Sequence, residues 1–114
     1  MITDQFIYDY IKRNKLAVVA TVSSDSQSES ALVGIAVTTD LKIIFDTSSK
    51  SRKYKNIVEN QSVSLVIGWE NETTIQYEGK DREKWNDISY ICIEPKWIRY
   101  SDFNEPMKIE ERYY

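Results

Sequence analysis

The chain alternates between two helical periods and a series of short β-rich apolar runs. Residues 3 to 14, T-D-Q-F-I-Y-D-Y-I-K-R-N, place Phe6, Ile7, Tyr10 and Ile11 on one side at helical spacing. Thr3 offers an N-cap hydroxyl, Asp4 suits the positive end of the helix, and Lys12 and Arg13 suit the negative end. The pattern predicts a short amphipathic helix covering the end of a larger body. The run L-A-V-V-A-T-V-S at 16 to 23 is β-branched and mostly apolar, as in a strand buried on much of both faces. A turn-like S-S-D-S-Q-S at 23 to 28 leads into a second strand at 30 to 38, predicting a hairpin over 16 to 38. Gly34 in mid-strand marks either a bulge, the close approach of another backbone or a ligand, or a bend in a barrel.

Thr39-Asp40 turns the chain into a third strand at 41 to 46, and a helical pattern with Tyr54, Ile57 and Val58 on its apolar side follows. Further strands are predicted at 62 to 69 and 74 to 80, and a charged connection, D-R-E-K-W-N, with a helical turn at 81 to 86. Alternation at 88 to 94 resumes after Pro95, which predicts a long last strand kinked where proline removes a ladder donor. The fold class is mainly β: about six antiparallel strands with inserted helices, closing into a barrel that removes exposed edges. The pattern alone does not separate a split barrel from an OB-type barrel. Residues 1–103 form one domain; 104–114 read as a polar tail with no strong period, in which Ile109, Tyr113 and Tyr114 are available to dock on a partner subunit.

With 114 residues the chain is long enough for one core, and 41% hydrophobic with 29% charged residues is the balance of a soluble protein. No stretch approaches the ~20 apolar residues of a membrane span, and M-I-T-D-Q-F shows no leader pattern. Cys92 has no second cysteine to pair with and reads as a small core residue; these features agree with a reducing, cytoplasmic location. The absence of histidine excludes Ser-His-Asp and Cys-His couples and His-containing zinc sites, and one cysteine excludes a four-thiolate cluster, so no metal is expected. Three glycines cannot make a G-x-G-x-x-G fingerprint or a P-loop. Chemistry must come from carboxylates, lysines, tyrosines or a bound cofactor.

One stretch concentrates that possibility. Residues 42 to 60, K-I-I-F-D-T-S-S-K-S-R-K-Y-K-N-I-V-E-N, read as strand, hydroxyl loop and helix, with Ser51 as the N-cap. Lys50, Arg52, Lys53 and Lys55 place four of the 15 basic residues within six positions. Cations in the first turn of a helix oppose its positive end by a few tenths of a kcal/mol each, unless an anion sits there. Free N–H groups, short hydroxyls and an arginine fork match the oxygens of a phosphate. Two other readings stay open: a capped helix with a solvated basic patch, and a nucleic-acid patch, which the net charge of −3 disfavours.

The order T-S-S-K-S-R-K after I-I-F-D, followed by N-I-V-E-N-Q-S-V-S-L-V-I-G-W, resembles the FMN-binding split-barrel family related to pyridoxamine 5′-phosphate oxidase, over roughly residues 4 to 103. The resemblance implies FMN as cofactor, its phosphate held by Thr47, Ser51, Arg52 and Lys53. It places the second strand, near Leu32 to Ala36, beside the isoalloxazine ring and implies that Thr74 reaches the flavin across a dimer interface. Trp97 matches an aromatic of the last strand. It further implies a homodimer with the cofactor in a groove between subunits; the net charge of −3 and the lack of an apolar span lead us to expect no nucleic-acid or membrane partner. The chain departs from pyridoxamine phosphate oxidases at three points. The second strand begins S-A-L without their arginine, their C-terminal Arg- and His-containing motif is absent, and the connection from Gly79 to Ile88 is shorter than in many relatives. The first two argue against vitamin B6 oxidation. The expected function is an FMN-dependent oxidoreductase of unknown substrate with no assignable catalytic residue; the alternative is a non-catalytic module that carries FMN or another phosphorylated ligand.

Overall fold

The computed structural model describes residues 2–84 and 90–114, with the backbone alone for 82–84. Helix α1 (Asp4–Arg13) leads into strands β1 (Leu16–Val22), β2 (Ser28–Gly34), β3 (Ala36–Val37) and β4 (Ile43–Asp46). Helix α2 (Arg52–Glu59) is followed by β5 (Ser62–Ile67), β6 (Thr73–Lys84), β7 (Tyr90–Asp102) and β8 (Lys108–Tyr113). All pairings are antiparallel, in the order β2-β1-β5-β6-β7-β4-β3, and β8 shares with β4 the side of β7 opposite β6. β2 and β4 approach each other across the gap without ladder pairing, so the sheet curls into a barrel split between them.

Alternation along the strands sorts residues between core and surface. Ala17 and Val19 of β1, Val63, Leu65 and Ile67 of β5, Ile75 and Tyr77 of β6, and Ile91, Ile93 and Ile98 of β7 point into one buried cluster with Phe45 and Ile57. Tyr77 sits at its centre, fully buried, and its hydroxyl faces the carbonyl oxygens of Leu41 (2.6 Å) and Ile93 (3.1 Å), tying β6 to β7 and to the turn before β4. Burial, followed by the Cys92 thiol nearby, pushes its phenol well above the usual range. As the sequence predicts, Thr3 caps α1 by accepting from Phe6 N at 3.1 Å. α1 buries Ile7, Tyr10 and Ile11, and Tyr10 reaches Thr73 Oγ1 at 2.9 Å. Gly68 (φ +78°) lies under the Tyr10 ring, where no Cβ fits.

The expected mainly β split barrel is present, and the described residues divide its sheet into eight strands where the sequence reads about six. The second predicted strand breaks at Ile35, whose N–H donates to Lys15 O, so that β2 pairs with β1 while β3 crosses to β4. Gly34 therefore stands at the barrel bend, where a Cβ would meet Lys15 O at 3.8 Å, an ordinary contact. The charged connection predicted at 81–86 is not helical through Lys84, because β6 continues to that residue opposite Ile91; residues 85 and 86 lie outside the described residues. The kink expected at Pro95 is a β-bulge. The register steps from Glu78↔Trp97 to Gly79↔Pro95 and leaves Lys96 as the extra residue, with Glu94 O packed where Gly79 lacks a Cβ. The stretch read as a tail without regular structure contains β8, because the C-terminal half of β7 offers a free edge. Its Tyr114 hydroxyl donates to Asp4 Oδ1 of the same chain at 2.8 Å, while Ile109 and Tyr113 are exposed. Cys92 is half-buried rather than a core residue, and faces a surface cleft with Lys42 and Glu94.

Candidate functional site

β4 anchors the site by burying Ile43 and Phe45, which delivers Thr47 almost fully buried to the foot of the hydroxyl loop. The loop closes on itself: Ser51 N donates to Ser48 O at 3.0 Å and Lys50 N to Ser48 Oγ at 3.1 Å. Ser51, in extended backbone, accepts from Tyr54 N at 3.2 Å and shares a hydrogen bond with Thr47 Oγ1 at 2.8 Å. The predicted cap is therefore present and is braced from behind by a buried hydroxyl. α2 turns Asn56 and Ile57 into the protein and has no acidic residue in its first turn. The N–H groups of Arg52 and Lys53 occupy first-turn positions that have no acceptor within the helix.

Ser51, Arg52 and Lys53 open on a cleft of about 140 Å³, closed on the other side by Val19 and Thr21 of β1 and Glu29, Ser30 and Ala31 of β2. Of the predicted phosphate ligands, three line this cleft and Thr47 stands one hydrogen bond behind Ser51. Lys50 and Lys55 border a neighbouring groove of 340 Å³ with Tyr54 and Val58. Two wider surface clefts, of 630 and 710 Å³, lie elsewhere, and neither includes Arg52 or Lys53.

Three residues that the sequence did not single out shape the cleft: Glu29 and Thr21 line it, and the buried Asn56 stands behind them. Glu29, its side chain 15% exposed, lies with Oε2 at 3.1 Å from Arg52 Nη1 and accepts at Oε1 from Asn56 Nδ2 at 2.7 Å. The Asn56 amide also reaches Thr21 Oγ1 at 3.0 Å. Glu29 is the one charged residue of β2 and shares the inward parity of Ala31 and Val33. An inward carboxylate on a strand signals a fixed partner, but with the turn read at 23 to 28 and the strand from Ser30, Glu29 fell between the two.

Thr74 and Trp97 are not brought to this cleft within one chain. Thr74 neighbours Ile75, which pairs with Ile67, itself level with Ala17, four positions along β1 from Thr21 and two strands away. Strand rise and spacing put Ile75 roughly 16 Å from Thr21, and Thr74 is one residue farther away. Its Oγ1 is buried without a hydrogen-bond partner among the described residues. Trp97 Nε1 donates to Glu111 Oε2 at 3.4 Å, and its ring lies 5.3 Å from the Arg99 guanidinium. Arg99 also binds Glu111, and these bonds, the arginine's first, hold the Glu111 carboxyl below its usual range.

The family model described as pyridoxamine 5′-phosphate oxidase matches residues 3–101. The chain belongs to that family. A curated pyridoxine/pyridoxamine 5′-phosphate oxidase from Ehrlichia ruminantium is 34% identical over 77 residues, which is 67% of this chain and 40% of the relative. The chain thus spans about two fifths of that relative's length. Among solved structures it is similar to General Stress Protein 26 from Bacillus anthracis (TM-score 0.79, 22% identity, 97% of this chain and 98% of the other). It is similar also to a pyridoxamine 5′-phosphate oxidase-related, FMN-binding protein from Nostoc punctiforme (TM-score 0.68, 7% identity, 88% and 86%). At those identities the likeness establishes the split-barrel fold of this oxidase family, which is the architecture the strand order displays.

Proposed function

We propose that this oxidase-family chain binds FMN non-covalently through the α2 cleft and serves as a flavin-dependent oxidoreductase. One observation carries the reading: in an acidic chain of this family, Ser51, Arg52 and Lys53 converge on a single cleft, braced by Thr47. Two helix-start N–H groups, a hydroxyl and two cations suit a phosphate ester, and the donor set fits no soft metal. A cleft of 140 Å³ takes a phosphate and part of a chain, whereas sites for molecules of drug size run to ~300–1,000 Å³. A flavin ring must therefore lie outside it.

On the outer face of the hairpin, opposite the inward side chains that line the cleft and reached from it around the edge strand β2, Leu32, Val18 and Val66 form one cross-strand row, with Leu32 60% and Val66 39% exposed. This apolar strip suits the ring, and a second copy of the chain would cover it. A homodimer with flavin at the interface follows, and Thr74 and Trp97, remote from the cleft in one chain, would serve the site of the other subunit.

When bound, FMN supplies hydride and electron transfer from its own ring. The protein's residues bind and orient: Arg52 and Lys53 neutralise the phosphate, Ser51 and Thr47 fix its position, and the hairpin shields one side from water. No described residue of the cleft is placed as a general acid or base apart from Glu29, and Glu29 is already engaged by Arg52 and Asn56. That engagement favours the second reading, a non-catalytic flavin carrier.

Purified protein scanned between ~350 and ~500 nm, before and after adding FMN and removing the excess, tests the binding proposal. Retained flavin bands support it, and their absence after FMN addition contradicts it. Oxidation of NADH or NADPH with an added acceptor then separates enzyme from carrier: a rate no greater than that of free FMN leaves the carrier reading.

A further inference from the structure

The cleft that gathers the cations already contains a negative charge of its own. The Glu29 carboxylate is held from inside the protein by the buried Asn56 amide, itself anchored on Thr21, while the Arg52 side chain, 80% exposed, reaches over from solvent to meet it at 3.1 Å. The rigid partner is thus the carboxylate and the movable one is the arginine. This arrangement relieves the crowding of cations at the start of α2 without any ligand. It also sets two obstacles before an incoming phosphate, since Arg52 is engaged and a like charge faces the same 140 Å³ cleft.

We infer that Glu29 sets the affinity of the anion site by competing with the ligand phosphate for Arg52. Phosphate enters when Arg52 swings from Glu29 to the ligand oxygens, leaving Glu29 on Asn56 and placing Lys53 between the two negative groups. The inference rests on the FMN reading above and deepens it: a site with a built-in competitor holds flavin exchangeably, as a cofactor taken up and released rather than permanently retained.

Glu29→Gln removes the charge but keeps an oxygen to accept from Asn56, so the local packing is retained. Fluorescence titration of the full chain with FMN is expected to show roughly tenfold tighter binding by E29Q, the size of one charge contact near a protein surface. Riboflavin, which lacks the phosphate, is expected to bind both proteins equally. FMN affinity that is equal in the two folded proteins overturns the inference while leaving the FMN reading intact. Loss of FMN binding in both overturns the two together. Equal tightening for riboflavin and FMN assigns the effect to packing and also overturns it. Should E29Q fail to fold, the wild-type protein decides: nitrogen-15 spectra of the arginine side chains should report Arg52 leaving Glu29 as FMN saturates, and an unchanged Arg52 signal at saturation refutes the competition.

Discussion

Ser51 offers a perturbation that separates a merely capped helix from a helix that receives a ligand. Its hydroxyl accepts from Tyr54 N at 3.2 Å and pairs with the buried Thr47 hydroxyl at 2.8 Å. Ser51→Ala removes both: the lost cap costs about 1 kcal/mol, and a buried Thr47 hydroxyl without its partner about 1 kcal/mol more. For a domain of this size the sum of roughly 2 kcal/mol lowers Tm by about 8 °C. Ser51→Asp behaves differently. A carboxylate caps as well as a hydroxyl and suits the positive end of α2, so stability should stay within about 0.5 kcal/mol of wild type. It also occupies the phosphate position with negative charge, so FMN affinity should fall at least about tenfold. The assays are a thermal melt followed by circular dichroism and a fluorescence titration with FMN on the same preparations. The reasoning is refuted if Ser51→Asp binds FMN as tightly as wild type, or if Ser51→Ala melts within about 2 °C of it.

Tyr77→Phe should destabilise by about 1–3 kcal/mol in urea titration, because the hydroxyl near Leu41 O and Ile93 O is lost from a fully buried position. Alkaline pH tests the same residue. Burial raises the Tyr77 phenol and pushes Tyr114, which also donates to Asp4, up to about 12. The folded state therefore keeps protons that unfolded tyrosines release near pH 10, so this stabilisation is complete below ~10 and declines from there upward. Tm measured from pH 9 to 11 should fall, and less steeply in Tyr77→Phe; a flat profile contradicts the assignment. Gly79→Ala should leave little folded protein at 37 °C in a solubility or melting assay, since its Cβ would sit far inside contact with Glu94 O at the β6–β7 bulge.

Elements whose causes are local were legible in the sequence. Thr3 and Ser51 announced the two helix starts through their own side chains, and Ile43 to Ser51 announced the strand, loop and cap that build the cleft. What escaped depends on partners distant in sequence. The break at Ile35 exists because one strand must serve both β1 and β4 across the split, and no local pattern encodes that choice. β8 has Lys108, Glu110 and Arg112 on one side and Ile109, Glu111 and Tyr113 on the other, too polar on both for clear alternation, and forms because β7 offers an edge. The cation cluster was readable from spacing; its counter-charge was not. Glu29 lies more than twenty residues before Arg52, and only the closure of β2 onto α2 puts them in contact.

The central claim is that the α2 cleft recognises a phosphate, and comparing FMN with riboflavin in one titration tests it most directly. Wild-type protein is expected to bind FMN more tightly than riboflavin, and Arg52→Ala and Lys53→Ala are each expected to reduce that preference by about 1–3 kcal/mol, the size of a charge-assisted hydrogen bond. Equal affinity for the two flavins in the wild type, or a preference that survives both substitutions, would contradict the account.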